Sequence, residues 1–543
     1  MLENASALLE SNRMKTGLKR VLVSDPIEAA GLEALQGIAE VDYLSDLTPE
    51  QLLEVIGEYD AWMVRSQTRV TAPLIQAGKK LKIIGRAGVG VDNIDVPAAT
   101  RAGVVVVNSP AGNTVAAAEH TLAMMMALSR HIGPADASVK RGEWKRTKYV
   151  GAELFGKVLG VIGLGKIGSH VVKVAQSLGM RVVAYDPFVT VERAEEMGVG
   201  IASVQELVRQ SDYITVHVPK TPETAGLIGK EMLALAKPGV RIINVARGGI
   251  INEDALIAAI ESGHVAGAAL DVFEQEPLAK QSLRDLGDRV LLTPHLGAST
   301  EEAQLNVAID VAEQIAEVLK GGEARAAVNI PNLRPELMSQ LRPFVTLAEK
   351  LGTVAAQLAT GPLEAVEVSY AGDVASHELK PLTNAVIKGL LTPALAEGVN
   401  YVNAGLLAKE RGLTVREVRS GDSVDYADLI RVTVRTAERE RQVAGTLLHR
   451  DLPALVGVDE YAVSLIIDGP MLFAPHQDLP GTIGKVGTIL GNHGINIFGM
   501  QMGRRAQHGP ALMILNLDQS IPDAIVDEIR RLPGFFDVQL VRG

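Results

Sequence analysis

Short apolar runs alternate with helical patterns from residue 20 to about residue 110. The runs lie at 21–23, 41–44, 61–64, 82–84 and 104–107, and they are rich in valine and isoleucine. β-Branched runs separated by helices are typical of a parallel sheet that is covered on both faces. The pattern predicts an α/β unit, followed at 115–129 by a long apolar helix whose methionines we expect in a core or a subunit contact.

The same alternation resumes at residue 157. Strands are predicted at 158–162, 181–185, 213–218, 241–245, 266–270 and 290–292. Six strands with intervening helices make one complete doubly wound domain. A helix is predicted at 301–320, and the stretch 321–335, which is rich in helix breakers, indicates a domain boundary.

Beyond this boundary the pattern changes. Helices are predicted at 381–411, and residues 429–435 alternate apolar and polar positions, as in an antiparallel strand with one solvated face. The last segments predict the order strand, helix, strand, strand, helix, strand, which is ferredoxin-like. They lie at 462–467, 482–492, 495–502, 511–517, 521–531 and 536–541.

Composition narrows the class of protein. The chain has 543 residues and a net charge of −11, which argues against a general nucleic-acid or membrane-surface binder. The chain contains no cysteine, which removes disulfides, thiolate zinc sites and cysteine nucleophiles and favours the cytoplasm. No metal site is predicted. No apolar run is long enough to span a membrane, and the first 17 residues lack the apolar core of a secretory signal.

A glycine-rich loop joins the strand at 158–162 to a helix. Its glycines have the spacing G-x-G-x-x-G, and the next strand ends at an acidic residue 18 positions after the last glycine. Glycines let a pyrophosphate approach the backbone, and the acid can accept the ribose hydroxyls of NAD while repelling the 2′-phosphate of NADP. The alternative is an ordinary tight strand-to-helix turn. The residues concerned are Gly163, Gly165, Lys166, Ile167, Gly168 and Asp186.

Three further polar groups follow successive strands of this unit. Arg247 follows the strand at 241–245, Asp271 and Glu276 follow 266–270, and His295 follows 290–292. Because ligands bind beyond the carboxyl ends of parallel strands, these groups are expected to converge. Arginine can bind a substrate carboxylate, histidine can take a hydroxyl proton, and a carboxylate can orient the histidine and raise its pKa.

Each of these residues also has a structural explanation. Arg247 could cap a loop, Glu276 could belong to a solvated acidic run, and His295 could be a packed turn residue. Only their joint occurrence at successive strand ends favours the functional interpretation.

Five motifs resemble those of the D-isomer-specific 2-hydroxy-acid dehydrogenases. They are GLGKIG, HVP at 217–219, NVARGG at 244–249, ALDVFEQEP at 269–277 and TPHLGAST at 293–300. The resemblance implies that Arg247 binds the substrate carboxylate, His295 is the acid/base and Glu276 is its partner. It implies an NAD site lined by Gly163, Gly165, Lys166, Ile167, Gly168, Asp186, Val218, Val245, Ala246, Arg247, Asp271, His295, Gly297 and Ala298.

Among long members of this family the resemblance implies 3-phosphoglycerate as the substrate. A net-acidic protein then needs a local basic pocket. The residues implied are Arg65, Ser66, Arg86, Asn113, Arg146 and Arg247, with Arg146 acting across a subunit interface. On charge alone, the stretch 144–148 would be a solvated loop. A reductase of glyoxylate or hydroxypyruvate and an NAD-sensing binding protein are the alternative functions.

Residues from about 326 to the end of the sequence are more than hydride transfer requires. They resemble an intervening regulatory domain followed by an ACT domain, which implies L-serine as an effector and a homo-oligomer, tetramer or dimer. The implied effector residues are His476, Asp478 and Asn496, although Pro-Gly and Gly-Ile-Asn turns explain them equally well. The division implied is a flavodoxin-like substrate domain at 18–116 with 301–325, a Rossmann-like NAD domain at 117–300, an α+β intervening domain at 326–460 and an ACT domain at 461–543.

Overall fold

The computed structural model describes residues 18–330, 335–359, 361–395, 398–421, 425–506 and 509–542. The N-terminal 17 residues and part of the predicted boundary, at 331–334, lie outside the described residues. Four sheets organise the described chain, and we number the units that contain them first to fourth in chain order.

The first unit is a parallel sheet with the order β2-β1-β3-β4-β5. Its strands are β1 Lys19–Val23, β2 Ala39–Tyr43, β3 Ala61–Val64, β4 Ile83–Arg86 and β5 Val105–Asn108. Val21 and Val23 belong to the core on one face, and Leu22 belongs to the core on the other. Burial of both faces explains why these strands are almost continuously apolar.

Helices cover both faces of this first sheet. Three of them follow its strands: α1 Pro49–Val55, α2 Ala72–Ala77 and α3 Val96–Arg101. The opposite face packs against a 3-10 helix at Ala29–Leu35 and against a helix from much later in the chain, at Glu301–Leu319. That late helix confirms the prediction of a helix at 301–320.

The second unit is a seven-stranded parallel sheet with the order β12-β11-β10-β9-β6-β7-β8. Its strands are β6 Val158–Ile162, β7 Arg181–Tyr185, β8 Gly200–Ile201, β9 Tyr213–Val216, β10 Val240–Asn244, β11 Val265–Leu270 and β12 Val290–Leu292. All six predicted strands are present. The seventh strand, β8, was not predicted, because a strand of two exposed residues is too short to show a hydrophobic pattern.

The helices of the second unit begin with α4 Thr114–Arg130, which packs on the sheet through Met124 and Met125, as predicted. A second helix, α5 Ile132–Lys140, follows at once. The others are α6 Lys166–Ser177, α7 Val191–Glu196, α8 Val204–Gln210, α9 Lys230–Leu235, α10 Glu253–Glu261 and α11 Gln281–Arg284, and the late helix Glu301–Leu319 becomes α12.

The third unit is a mixed six-stranded sheet with the order β14-β13-β15-β16-β17-β18. Its strands are β13 Leu363–Gly372, β14 Thr414–Arg419, β15 Asp428–Thr436, β16 Glu440–Leu448, β17 Leu452–Val458 and β18 Tyr461–Ile466. The predicted strand at 429–435 is β15, and it is antiparallel to both of its neighbours. The helices are α13 Pro335–Leu358, α14 Lys380–Leu395 and α15 Ala404–Glu410.

The fourth unit is an antiparallel sheet with the ferredoxin-like order β20-β21-β19-β22. Its elements are β19 Met471–Gln477, α16 Thr482–Asn492, β20 Ile497–Arg504, β21 Pro510–Leu517, α17 Asp523–Arg530 and β22 Gln539–Val541. The predicted fold class, with two doubly wound units and two α+β units, is confirmed.

The first strand predicted for this last unit was wrong. Residues 461–466 pair with β17 and belong to the third sheet. The first strand of the fourth sheet is β19, which contains Pro475 and follows Pro470. Proline is uncommon inside strands, so this segment has a weak strand pattern. The predicted domain boundary between 460 and 461 stays a prediction.

Within the described ranges, no helix is both long and apolar enough to cross a membrane. Over the same ranges, no group of three or more histidine, aspartate or glutamate side chains is arranged to hold a metal ion.

Candidate active site

The predicted cofactor residues lie at one edge of the second sheet, where its parallel strands end. Gly163 follows β6, Asp186 follows β7, Val218 lies two residues beyond β9, and Val245 and Ala246 follow β10. Asp271 follows β11, and the turn that carries His295, Gly297 and Ala298 follows β12. A dinucleotide in a doubly wound sheet lies across this edge.

The glycine-rich loop is built to approach a phosphate closely. Gly165 begins α6 with no side-chain cap, and a side chain there would meet nothing within 4 Å, so the N-terminal N–H groups of the helix are accessible. A Cβ on Gly168 would lie 2.0 Å from the carbonyl oxygen of Gly163, so the loop and the helix fit together only with glycine. This arrangement fits a bound pyrophosphate.

Asp186 is held at the end of β7. Its carboxylate accepts hydrogen bonds from the backbone N–H groups of Leu164, at 2.7 Å, and Phe188, at 2.8 Å. The side chain remains half-buried, and a carboxylate has about four acceptor positions, so two are left for ribose hydroxyls.

Replacing Asp186 with alanine should raise the Kd for NAD about tenfold or more and improve NADP binding, because hydrogen bonds to a charged acceptor are lost together with the charge that repels a 2′-phosphate. Fluorescence titration of both nucleotides measures the effect. The exposed Glu195, on α7, supplies the control Glu195→Ala. Unchanged selectivity in Asp186→Ala would contradict the role of this carboxylate.

His295 and Glu276 form a direct pair. Nδ1 of His295 lies 2.7 Å from Oε2 of Glu276, and both side chains are partly exposed. The Nδ1 contact leaves Nε2 of His295 as the nitrogen that can accept a substrate proton. The predicted pairing of acid/base and carboxylate is therefore present in the geometry.

The pKa of Glu276 lies below its ordinary value. Burial favours the neutral acid, but the hydrogen bond and the positive charge of His295 outweigh it, helped by the backbone N–H of Phe273. The ionised group therefore stabilises the fold above its unfolded-state pKa near 4.5, and this contribution is lost as the pH falls through the lowered folded-state value.

At pH 6 we expect the free energy of unfolding of the wild-type protein to be higher than that of Glu276→Gln. The difference should be about 1 kcal/mol or less, which is the range for solvent-screened pairs. The difference should shrink as the pH falls below about 4.5. Urea unfolding at several pH values measures it. A difference that grows towards low pH would contradict the pairing.

Asp271 organises the turn that carries His295. Its carboxylate is fully buried and accepts hydrogen bonds from Thr293, at 2.6 Å, and from the backbone N–H groups of Leu296 and Gly297, both at 2.8 Å. Its backbone oxygen accepts from the N–H of His295. That Asp271 lines the NAD site stays a prediction, and most of its acceptor positions are already filled.

His120 is a partner of Asp271 that sequence reasoning missed. Its Nε2 lies 3.2 Å from Oδ1 of Asp271 and 3.3 Å from the hydroxyl of Thr293. The residue lies on α4, 151 positions before Asp271, so no local pattern could have revealed the contact.

Arg247 reaches across to the first unit. Its Nε donates to Oδ2 of Asp92 at 2.9 Å, and its Nη1 donates to the backbone oxygen of Ala246 at 2.7 Å. A Cβ on Gly90 would lie 1.8 Å from Nη2, so this glycine makes room for the guanidinium. Three of the five N–H donors remain for a substrate carboxylate.

A cavity of about 630 Å³, here called the interdomain cavity, separates the first two units. Arg65, Ser66 and Arg86 line it from the first unit, and Glu276 and His295 line it from the second. Arg284, at the end of α11, also lines it and was not predicted. The cavity thus combines the proton-transfer pair with guanidinium groups.

Arg86 is half-buried in the wall of this cavity. Partial burial and the neighbouring positive charges of Arg247 and Arg65 lower its pKa to about 10, against the opposing effect of Asp92 and Asp25. Its Nε is buried without a hydrogen-bond partner in the described part of the chain. A partly desolvated cation with an unused buried donor is suited to binding an anion.

Three predicted substrate residues, Arg247, Asn113 and Arg146, are not part of the cavity lining. Asn113 directly precedes α4 without a side-chain capping hydrogen bond, and its buried Oδ1 lacks a hydrogen-bond partner among the described residues. Arg146 lies on an exposed 3-10 helix, Arg146–Tyr149, and does not line the interdomain cavity of its own chain. The prediction that Arg146 serves a site must therefore involve another subunit.

The three predicted effector residues do not meet within one chain. His476 is 1% exposed, with its ring stacked on Phe535, and Asp478 follows it at the end of β19. His476 pairs with Ala511 of β21, whereas Asn496 precedes Ile497, which pairs with Leu517. The two ends of β21 are therefore about 20 Å apart, at 3.4 Å per residue.

The fold and the site together define an NAD-dependent dehydrogenase of 2-hydroxy acids. Comparison with known proteins agrees. Residues 122–297 match the D-isomer specific 2-hydroxyacid dehydrogenase, NAD binding domain, residues 340–459 match the D-3-phosphoglycerate dehydrogenase intervening domain, and residues 475–534 match the ACT domain.

Two full-length relatives are similar along nearly the whole chain. D-3-phosphoglycerate dehydrogenase of Synechocystis sp. is 52% identical over 97% of this chain and 95% of its own. D-3-phosphoglycerate dehydrogenase of Methanocaldococcus jannaschii is 44% identical over 96% of this chain and 99% of its own. The chain therefore belongs to the D-3-phosphoglycerate dehydrogenase family.

A solved structure supports the cofactor assignment. D-lactate dehydrogenase from Aquifex aeolicus, in complex with NAD and lactic acid, is 30% identical, with a TM-score of 0.50. It covers 56% of this chain, and 96% of its own chain is covered. This structural similarity extends over little more than half of the chain. Together with the match to the NAD binding domain, it shows that the cofactor of this chain is NAD.

Proposed function

We propose that this protein oxidises 3-phospho-D-glycerate to 3-phosphohydroxypyruvate with NAD, the first step of phosphorylated L-serine biosynthesis. The interdomain cavity carries the proposal, because Arg65 and Arg86 line it together with the pair of His295 and Glu276. A substrate that bears both a carboxylate and a phosphate needs more than one guanidinium, and the near-full-length relatives are named for this substrate.

The residues divide the work by chemistry. Arg247 pairs with the substrate carboxylate through the donors that Asp92 and Ala246 leave free. Nε2 of His295 takes the proton of the C2 hydroxyl, and Glu276 stabilises the imidazolium that forms. Bound NAD supplies the acceptor for the hydride that leaves C2.

Groups at the ends of the parallel strands bind the cofactor. The N-terminal N–H groups of α6 receive the pyrophosphate, and Asp186 receives the ribose. Val218, Val245 and Ala246 supply the walls, and Asp271 fixes the turn on which His295 lies.

The test measures NADH absorbance with NAD and 3-phosphoglycerate at alkaline pH, with product trapping. Activity with 3-phosphoglycerate should exceed activity with unphosphorylated D-glycerate. Activity with NAD should exceed activity with NADP. Equal activity with the unphosphorylated acid would favour a reductase of simpler 2-oxo acids. No turnover, together with tight NAD binding, would favour an NAD-sensing protein.

We also propose a homo-oligomer in the cytoplasm, a dimer or a tetramer. The stretch from 131 to 155 exposes large apolar side chains, of which Trp144 is 80% exposed and Val150 and Phe155 are 76% exposed. Apolar groups of this size are often covered in an interface. Arg146 lies in the same stretch, which supports its predicted role in the site of another subunit.

L-Serine is the proposed effector, bound between two ACT units. Because His476 and Asp478 lie at one end of the fourth sheet and Asn496 at the other, antiparallel pairing of two copies would bring the ends together.

In the full-length chain, Asp478→Asn should abolish the response to L-serine while NADH formation without serine stays within about twofold, because the ammonium of serine loses its counter-charge. Initial rates across a serine titration measure this. Asp523→Asn, which changes an exposed carboxylate on α17, is the control. A full serine response in Asp478→Asn would move the effector site elsewhere.

A further inference from the structure

Asp25 lies buried behind one wall of the interdomain cavity. It follows β1 by two residues and is 1% exposed. It was not among the residues predicted from the sequence. Its carboxylate binds the loop at 65–68, whose first two residues, Arg65 and Ser66, line that cavity.

The loop is wrapped around this carboxylate. Oδ2 accepts hydrogen bonds from the backbone N–H groups of Arg65, at 2.5 Å, and Gln67, at 3.2 Å. Oδ1 accepts from the N–H of Thr68 at 3.0 Å and from the Thr68 hydroxyl. Four donors from three residues of this loop, Arg65, Gln67 and Thr68, thus converge on one buried carboxylate.

The loop is held from its carbonyl side as well. Nδ2 of Asn93 donates to the backbone oxygens of Arg65 and Thr68, both at 2.7 Å. Nη1 of Arg65 donates to the oxygen of Pro26 at 3.1 Å, so the residue after Asp25 also restrains the guanidinium. The backbone that presents Arg65 is therefore fixed from two sides.

A carboxylate suits this arrangement of donors, and an amide does not. An asparagine would offer one acceptor oxygen and two N–H donors, and those donors would face the donors of the loop. Leaving backbone N–H groups unpaired in a buried place is destabilising. The negative charge of Asp25 also favours the charged form of Arg86 in the same wall.

We propose that Asp25 is a positioning residue for the phosphate end of the substrate. It holds the 65–68 loop so that Arg65 and Ser66 present donors to the phosphate, and it does not act on hydride or proton transfer. This inference rests on the proposed function, because it assigns the substrate phosphate to the wall that Asp25 supports.

The experiment compares wild type, Asp25→Asn and a matched control, Asp212→Asn. Asp212 likewise accepts a backbone N–H, from Val158 at 2.8 Å, but lies at the amino-terminal edge of the second sheet. The readout is the ratio of kcat/KM for 3-phosphoglycerate to kcat/KM for D-glycerate. We expect Asp25→Asn to lower this ratio about tenfold or more through KM and Asp212→Asn to leave it unchanged. Equal losses on both substrates in Asp25→Asn would show a merely structural role and overturn the proposal.

A binding measurement separates this proposal from the proposed function. Calorimetry of the NAD-saturated enzyme with inorganic phosphate needs no turnover, and we expect Asp25→Asn to bind phosphate at least tenfold more weakly than wild type. Equal affinities overturn the positioning role whatever the substrate is. Wild-type protein that binds phosphate but does not oxidise 3-phosphoglycerate would contradict the proposed function alone.

Thr68→Val covers the case in which Asp25→Asn does not fold. It removes only the hydroxyl that donates to Asp25 and keeps the shape of the side chain. We expect about a threefold fall in the substrate ratio and in phosphate affinity. No change in either quantity would overturn the proposal.

Discussion

Replacing His295 with asparagine should lower kcat on 3-phosphoglycerate by about a hundredfold or more, the range for a positioned acid/base. The imidazole is paired through Nδ1 with Glu276, so Nε2 is the group that takes the hydroxyl proton. His295 adopts a left-handed backbone with φ of 56°, which asparagine tolerates well, so the turn should survive the change.

The measurement is steady-state NADH formation, together with the Kd for NAD. His493→Asn is a matched control, because Nε2 of His493 also contacts a glutamate, Glu528, at 3.1 Å, but in the fourth unit. We expect the control to keep wild-type kcat. A His295→Asn enzyme with more than a tenth of wild-type turnover would place the acid/base elsewhere.

Replacing Arg247 with alanine should lower kcat/KM on 3-phosphoglycerate about a thousandfold with little change in NAD affinity. Hydrogen bonds to a charged group contribute about 1.5–3 kcal/mol each, and a bidentate carboxylate loses two of them. The guanidinium is already oriented by Asp92 and by the backbone oxygen of Ala246, so the substrate meets an ordered group. Asp92 is largely exposed, so the variant strands no buried charge.

Kinetics on 3-phosphoglycerate and fluorescence titration of NAD check this expectation. Arg193→Ala serves as the control, because Arg193 forms an exposed ion pair with Glu196 on α7, outside the interdomain cavity. Retained efficiency in Arg247→Ala would mean that another residue anchors the carboxylate. A parallel loss of NAD affinity would mean that Arg247 supports the cofactor instead.

Much of the site was predictable because the pattern is local and the topology is regular. A strand, a glycine-rich turn and a helix occupy consecutive residues, so the dinucleotide loop could be identified without any distant contact. Arg247, Glu276 and His295 are far apart in sequence, but each follows a parallel strand. Because all such strands end at one edge of the sheet, the position of these groups at that edge could be inferred without coordinates.

Other features depended on which segments pair. The strand at 461–466 has a clear alternating pattern, but the pattern does not say whether its neighbour is β17 or a strand of the fourth sheet. His476 lies near the end of β19 and Asn496 directly precedes β20, and only the register of β21 shows that they lie at opposite ends of the sheet.

The sequence by itself determined the class of each unit, the NAD loop and the three groups of the proposed chemistry, because periodicity and strand-end position are local properties of the chain. Only the tertiary structure decided the partners: Asp92 for Arg247, His120 for Asp271 and Asp25 for the 65–68 loop. These pairs join residues 40 to 155 positions apart. Such contacts depend on how distant segments pack together, and a local sequence pattern carries no information about that packing.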